Sequence, residues 1–142
     1  AAHRGGSMIS PQMWRELVLP YHQRVVRELP VPVIWHSDGK MDKLLPFAVE
    51  AGFAGVHGLE TLSGNKLDEV KAQYGDKLIL IGNVNINLFF EPNLDLIRTD
   101  VKRSYEQGGK IGYMISSCNS LYPGMNPEAV REYFRCQVEF GE

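Results

Sequence analysis

The sequence predicts an α/β fold: four parallel strand–helix units forming half of an eight-stranded (β/α)8 barrel, preceded by a helix. Three observations predict it. Short apolar runs at 33–35, 53–59, 78–81 and 111–115 alternate with stretches of helical period. Strands separated by helical crossovers run parallel, with right-handed connections. Each run also ends in polar residues: His36 and Asp38, then Glu60, then Asn83 and Asn85, then Ser116 to Asn119. In a parallel sheet these ends gather on one rim, where α/β folds place their chemistry.

The first ten residues read as a glycine-rich loop. Ser10 then caps a helix with Pro11 at its first position. Met13, Trp14, Leu17, Val18, Tyr21 and Val25 form its apolar stripe, and Pro20 should kink it. Val33-Ile34-Trp35 is the first buried strand, and it leads into His36-Ser37-Asp38-Gly39. A helix follows with Met41, Leu44, Leu45, Ala48 and Val49 inward, Pro46 awkward, and Gly52 as its C-terminal cap. The second strand covers 53–60, and a short helix with Leu67, Val70 and Tyr74 on one side ends at Gly75.

Leu78-Ile79-Leu80-Ile81 is the clearest buried strand, tipped by Gly82-Asn83-Val84-Asn85. Asn93 caps a helix striped by Leu94, Ile97, Val101 and Tyr105, which stops at Gly108-Gly109. The fourth strand, 111–115, precedes Ser116-Ser117-Cys118-Asn119-Ser120. Asn126-Pro127-Glu128 opens the last helix, with Val130, Tyr133, Phe134 and Val138 expected inward.

Four units are half of a barrel that takes about 250 residues. A curved four-stranded parallel sheet leaves two unpaired edges and an open inner face, and such edges pair with other chains. A homodimer or a complementary half-barrel is therefore the expected partner. The chain of 142 residues is expected to form a single domain. A net charge of -2 supplies no basic field, so nucleic acid is not an expected partner. No apolar run approaches a membrane span. Cys118 and Cys136 stand in no metal-like pair spacing, and a reducing cytoplasm is the expected compartment.

On the rim, His36 and Asp38 stand two apart and point to one face of an extended strand. With Glu60 they are the candidate acid/base residues. Asn83, Asn85, Ser116, Ser117, Asn119 and Tyr122 are the candidate substrate contacts. The structural reading of each is local: turn chemistry for the asparagines, a solvated carboxylate for Glu60, and a small half-buried thiol for Cys118. His57 reads as a packed histidine.

Several stretches in order resemble the C-terminal half of the uroporphyrinogen decarboxylase superfamily, which includes the decarboxylases and cobalamin-dependent methyltransferases. They are Met8-Ile9-Ser10-Pro11 with Leu17-Val18-Leu19-Pro20, Ile34 to Gly39, Gly52-Phe53 to Leu59-Glu60, and Leu67 to Lys71 with Tyr74-Gly75. Ile81-Gly82-Asn83-Val84, Gly112 to Ser117 and Pro127-Glu128 complete the set. Each piece is weak alone, and the ordered set is specific for the superfamily but not for one reaction.

The resemblance implies a TIM-type barrel whose last four units lie in this chain. It implies tetrapyrrole (porphyrin) decarboxylation or corrinoid-dependent methyl transfer by the complete barrel. The decarboxylases grip the tetrapyrrole with an arginine-rich N-terminal segment and an aspartate of the first half, which these residues do not include. Asn119 stands where decarboxylases carry a histidine. The methyltransferase branch holds zinc through a His-x-Cys pair and a later cysteine. His36 matches that histidine, Asp38 replaces the first cysteine and Asn119 the second, with Cys118 one residue away. Zinc accepts carboxylate as well as imidazole and thiolate, so His36, Asp38 and Cys118 are the candidate metal ligands. The alternative reading is a catalytically incomplete fragment or a self-associating, non-enzymatic binding module.

Overall fold

The computed structural model describes residues 1–141. The first ten residues are not a plain loop. They contain a small hairpin of β1 (Ala2–His3) and β2 (Gly6–Ser7). Ser10 caps α1 (Pro11–Leu17), its hydroxyl accepting from the Met13 amide at 3.1 Å. Pro20 falls in the first turn of α2 (Leu19–Glu28), where a missing N–H costs nothing, so the predicted kink is a break at Val18.

Four βα units follow. They comprise β3 (Ile34–Ser37) with α3 (Leu45–Ala51), β4 (Gly55–Gly58) with α4 (Leu67–Tyr74), β5 (Ile79–Val84) with α5 (Leu94–Gly108), and β6 (Tyr113–Ser117) with α6 (Pro127–Gly141). Pro46 again opens its helix rather than interrupting it. Gly52 is the left-handed C-terminal cap of α3. Asn93 caps α5, accepting from the Asp95 amide at 3.0 Å. Two short 3₁₀ turns, Thr61–Ser63 and Ile86–Phe90, follow the tips of β4 and β5.

The strands lie in sequential order, β3-β4-β5-β6, and all pairs are parallel. Register places Trp35, Val56, Leu80 and Tyr113 in one row. That row faces the helices: Trp35, Val56 and Leu80 are buried. Each such side chain contributes about 1.5–3 kcal/mol through burial. Alternation turns Ile34, Ile79 and Met114 to the opposite, concave face, where they are 39%, 38% and 57% exposed. An antiparallel sheet shows one wet face by design, whereas a parallel one is covered on both. The bare concave face and the free edges of β3 and β6 are therefore those of half a TIM-type barrel.

The core has two parts. One packs Trp14, Leu19, Trp35, Phe53, Val56 and Leu80 with α3 and α4. The other packs Val84, Phe89, Ile97, Val101, Tyr133 and Cys136 beneath α5 and α6. Two expected faces are corrected. Phe134 and Val138 are exposed, because α6 buries Ala129, Glu132, Tyr133 and Cys136 instead. Met13, Leu17, Tyr21 and Val25 are exposed too, since the break at Val18 turns Trp14 and Leu19 inward. Among the described residues no helix is long and apolar enough to cross a membrane.

Candidate functional site

All four strand ends reach one rim. β3 pairs with β4 so that His36 lies opposite His57 and Ser37 opposite Gly58. β5 pairs with β6 so that Asn83 lies opposite Ser116 and Val84 opposite Ser117. Two loops are held in place by one buried side chain, Asn65. It accepts from the Met41 amide at 3.0 Å and donates to the carbonyls of Gly39 at 2.8 Å and Glu60 at 2.9 Å. Gly39 has φ 78°, and a Cβ there would strike the His3 backbone. Glycine lets the N-terminal hairpin seat against this turn, fixed by the Lys40 amide donating to the His3 carbonyl at 2.9 Å.

His36 and Asp38 meet as their spacing predicts, with Nε2 3.5 Å from Oδ1. Asn119, 81 positions along the chain, donates from Nδ2 to the same Asp38 oxygen at 3.0 Å. This contact joins the first strand end to the last. His57 is packed, its ring centroid 4.8 Å from that of His36, and it is also part of the rim's hydrogen-bond chain. Its Nδ1 lies 2.8 Å from His36 Nδ1, and its Nε2 lies 3.3 Å from both Ser116 Oγ and the Ser117 carbonyl. The signal for it was register: aligning the two strands residue by residue places one imidazole beside the other. Burial, reinforced by the charge of His36, holds the His57 pKa below its ordinary value.

The other candidates divide. Ser116 joins the histidine chain through its hydroxyl, while the Ser117 hydroxyl donates to the Asn119 carbonyl at 2.7 Å and shapes the loop. Glu60 is half-buried, and its carboxylate accepts from the Ser63 hydroxyl. Asn83 is fully buried and both ends of its amide are used. Nδ2 donates to the Leu59 carbonyl at 2.7 Å, and Oδ1 accepts from Arg103 Nη1 at 2.9 Å. In this fold it braces the strand end. Asn85 caps the Ile86–Phe90 turn through the Asn87 amide at 3.0 Å. Tyr122 is exposed and lies tilted against Phe90, ring centroids 5.5 Å apart.

The metal set does not assemble. Cys118 is buried in the second core cluster, its amide donating to the Val84 carbonyl at 2.9 Å, and it is not grouped with His36 and Asp38. Burial pushes its pKa up, which disfavours the thiolate a metal needs. Among the described residues no three His, Cys, Asp or Glu side chains are grouped to hold a metal ion. The residues therefore do not fit zinc.

The family model "Uroporphyrinogen decarboxylase (URO-D)" matches residues 3–140. The chain belongs to the uroporphyrinogen decarboxylase family. Within that family it is 31% identical over 140 residues to uroporphyrinogen decarboxylase of Xanthomonas euvesicatoria, covering 88% of this chain and 38% of that protein. It is 29% identical over 135 residues to the decarboxylase of Geotalea daltonii, covering 92% and 38%. A shorter match, 44% over 46 residues, is to a methylated-thiol–coenzyme M methyltransferase of Methanosarcina mazei, covering 32% of this chain and 12% of that protein. A solved methyltransferase structure from Methanosarcina mazei superposes with a TM-score of 0.79 at 22% identity, over 94% of this chain and 39% of that one. That superposition shows the fold. This family member spans 38% of the length of the decarboxylase relatives and supplies only part of a family barrel.

Proposed function

We propose that the complete barrel containing this half carries out proton-coupled chemistry at its mouth, with a tetrapyrrole carboxylate decarboxylation as the leading reaction. The observation that carries the reading is the chain of contacts Asn119–Asp38–His36–His57–Ser116 across the rim. Decarboxylation breaks a carbon–carboxylate bond, releases CO2 and leaves a carbanion-like carbon that must take a proton. An imidazole beside a carboxylate suits that transfer. His36 is assigned as the acid/base residue, Asp38 as its orienting carboxylate, and Glu60 as a further rim carboxylate. Ser116 and Asn119 are assigned as contacts to the bound ligand.

Corrinoid-dependent methyl transfer is the second reading, favoured by the 44% match to the coenzyme M methyltransferase. A thiol-activating zinc site is not part of it here, since Cys118 lies in the core. The complete barrel needs four further strand ends, supplied by a longer chain, a complementary half-barrel or a second copy of these residues. A cytoplasmic setting agrees with the free thiols of Cys118 and Cys136.

The test is reconstitution. The chain is mixed with a complementary half carrying the first four units, then assayed for CO2 release from a carboxylated tetrapyrrole and for methyl transfer from methylcobalamin. His36→Asn should lower the active reaction about 100-fold or more. Activity unchanged by His36→Asn would overturn the assignment. Failure of the reconstituted barrel in both assays would favour the incomplete, self-associating module.

A further inference from the structure

The two rim histidines form a single connected unit, and its hydrogen-bond logic can be read from the partners. The Nδ1–Nδ1 contact of 2.8 Å has room for one proton between the rings. The protonation of one ring therefore dictates that of the other. In the neutral pair there are two arrangements. In one, His36 Nδ1–H donates to His57, and the bare Nε2 of His36 then faces the Asp38 carboxylate. In the other, His57 Nδ1–H donates to His36, His36 Nε2–H donates towards Asp38, and His57 Nε2 accepts from the Ser116 hydroxyl. The first satisfies the Ser117 carbonyl with an Nε2–H of His57 but turns a bare nitrogen to Asp38. The second leaves that carbonyl facing a bare nitrogen but gives the charged carboxylate its donor, and a hydrogen bond to a charged acceptor outweighs one to a neutral carbonyl.

We infer that His57 is the positioning residue of the mouth, holding His36 in the Nε2–H tautomer aimed at Asp38 and joining it in a two-ring proton relay that starts at Ser116. The relay rests on the proton-transfer reading above and gives it a route. The Ser116 O–H bond breaks as its proton passes to His57 Nε2, and the Ser116 oxygen takes a proton in turn from a hydronium ion or an acidic ligand at the mouth. The new Nε2–H donates to the Ser117 carbonyl 3.3 Å away. The His57 Nδ1–H bond then breaks as the His36 Nδ1–H bond forms. His36 becomes the cation beside Asp38, neither ring moves, and no electron changes hands. Among the described residues, the charged group facing the pair is Asp38, on the β3 side. Burial of His57, which disfavours a charge on it, agrees with the cation settling on the more exposed His36.

The experiment is 15N–1H correlation NMR of the histidine rings in the full chain at neutral pH, with no ligand added. For His36 it should show a protonated Nε2 and an unprotonated Nδ1, with a low-field proton on His57 Nδ1. His57→Phe keeps the ring volume and removes the donor, so the low-field signal should vanish and His36 should become a mixture of tautomers. His57→Asn replaces Nδ1 with an amide nitrogen at about the same reach, so it should restore the Nε2–H form of His36. His57→Gln extends towards Ser116 instead and should not. A His36 that averages tautomers as in solution in the unaltered chain, or one indifferent to His57→Phe, would overturn the inference. This readout needs no turnover. Inactive reconstituted barrels with an intact relay would sink the decarboxylation reading and leave the relay standing.

Discussion

Burial acts on two imidazoles, His22 on α2 and His57 at the rim. His22 sits edge-on to Trp14 and Phe53, with ring centroids 5.8 and 5.2 Å away, and burial lowers its pKa just as burial lowers that of His57. The unfolded chain takes up protons on these groups near the ordinary histidine value of about 6.5. Below that value the unfolded state binds more protons than the folded one, so stability falls with pH until the lowered folded values are passed. The urea midpoint should therefore drop between about pH 7 and about pH 5. His22→Phe keeps the aromatic packing and removes one titrating group, so the drop should shrink. An unchanged drop would show that His22 is protonated as easily folded as unfolded. At this scale His36, Asp38 and Asn119 were legible in the sequence, because each follows an apolar run. Asn65 and Arg103 were not. Their roles depend on carbonyls and amides from distant loops, which no local pattern reports.

The elements divide cleanly by face. Leu80 lies wholly buried in the middle of β5, whereas its neighbour Ile79 turns to the concave side. Leu80→Ala should cost about 3 kcal/mol in the chain as it stands. Ile79→Ala should cost clearly less than Leu80→Ala, because 38% of Ile79 is already exposed while Leu80 is wholly buried. Chemical denaturation of the two variants checks the contrast, and equal losses would mean that the concave face is covered. The strand–helix alternation was readable because strand runs were short and helix stripes periodic. The proline positions were harder. Pro20 and Pro46 look like helix breakers in a stripe, yet each is tolerated at the first turn of a helix that starts later than the stripe suggests. The α6 face departs from the sequence expectation for a related reason. Its sequence offers apolar residues on more than one side, and α5 selects among them through the Arg98 pairs with Glu132 and Glu139, both at 2.6 Å.

For the whole molecule, the open geometry is the dominant fact. Ile34, Ile79 and Met114 are left bare on the concave face, β3 and β6 have free edges, and Tyr105, Tyr113, Ile115 and Phe140 line a groove of about 610 Å3 along the β6 side. Parallel sheets bury both faces, and exposed edges pair with further strands. The count of four units made this half-barrel legible from the sequence. The identity of the strands that close it was not legible, because the surfaces they meet are apolar and backbone, and carry little chemical address. Light scattering after size exclusion, on the full chain at micromolar concentration, tests the account most directly. It predicts an assembly of at least twice the chain mass, or a one-to-one complex when a complementary half-barrel is added. A stable, monodisperse single chain that ignores that half would contradict it.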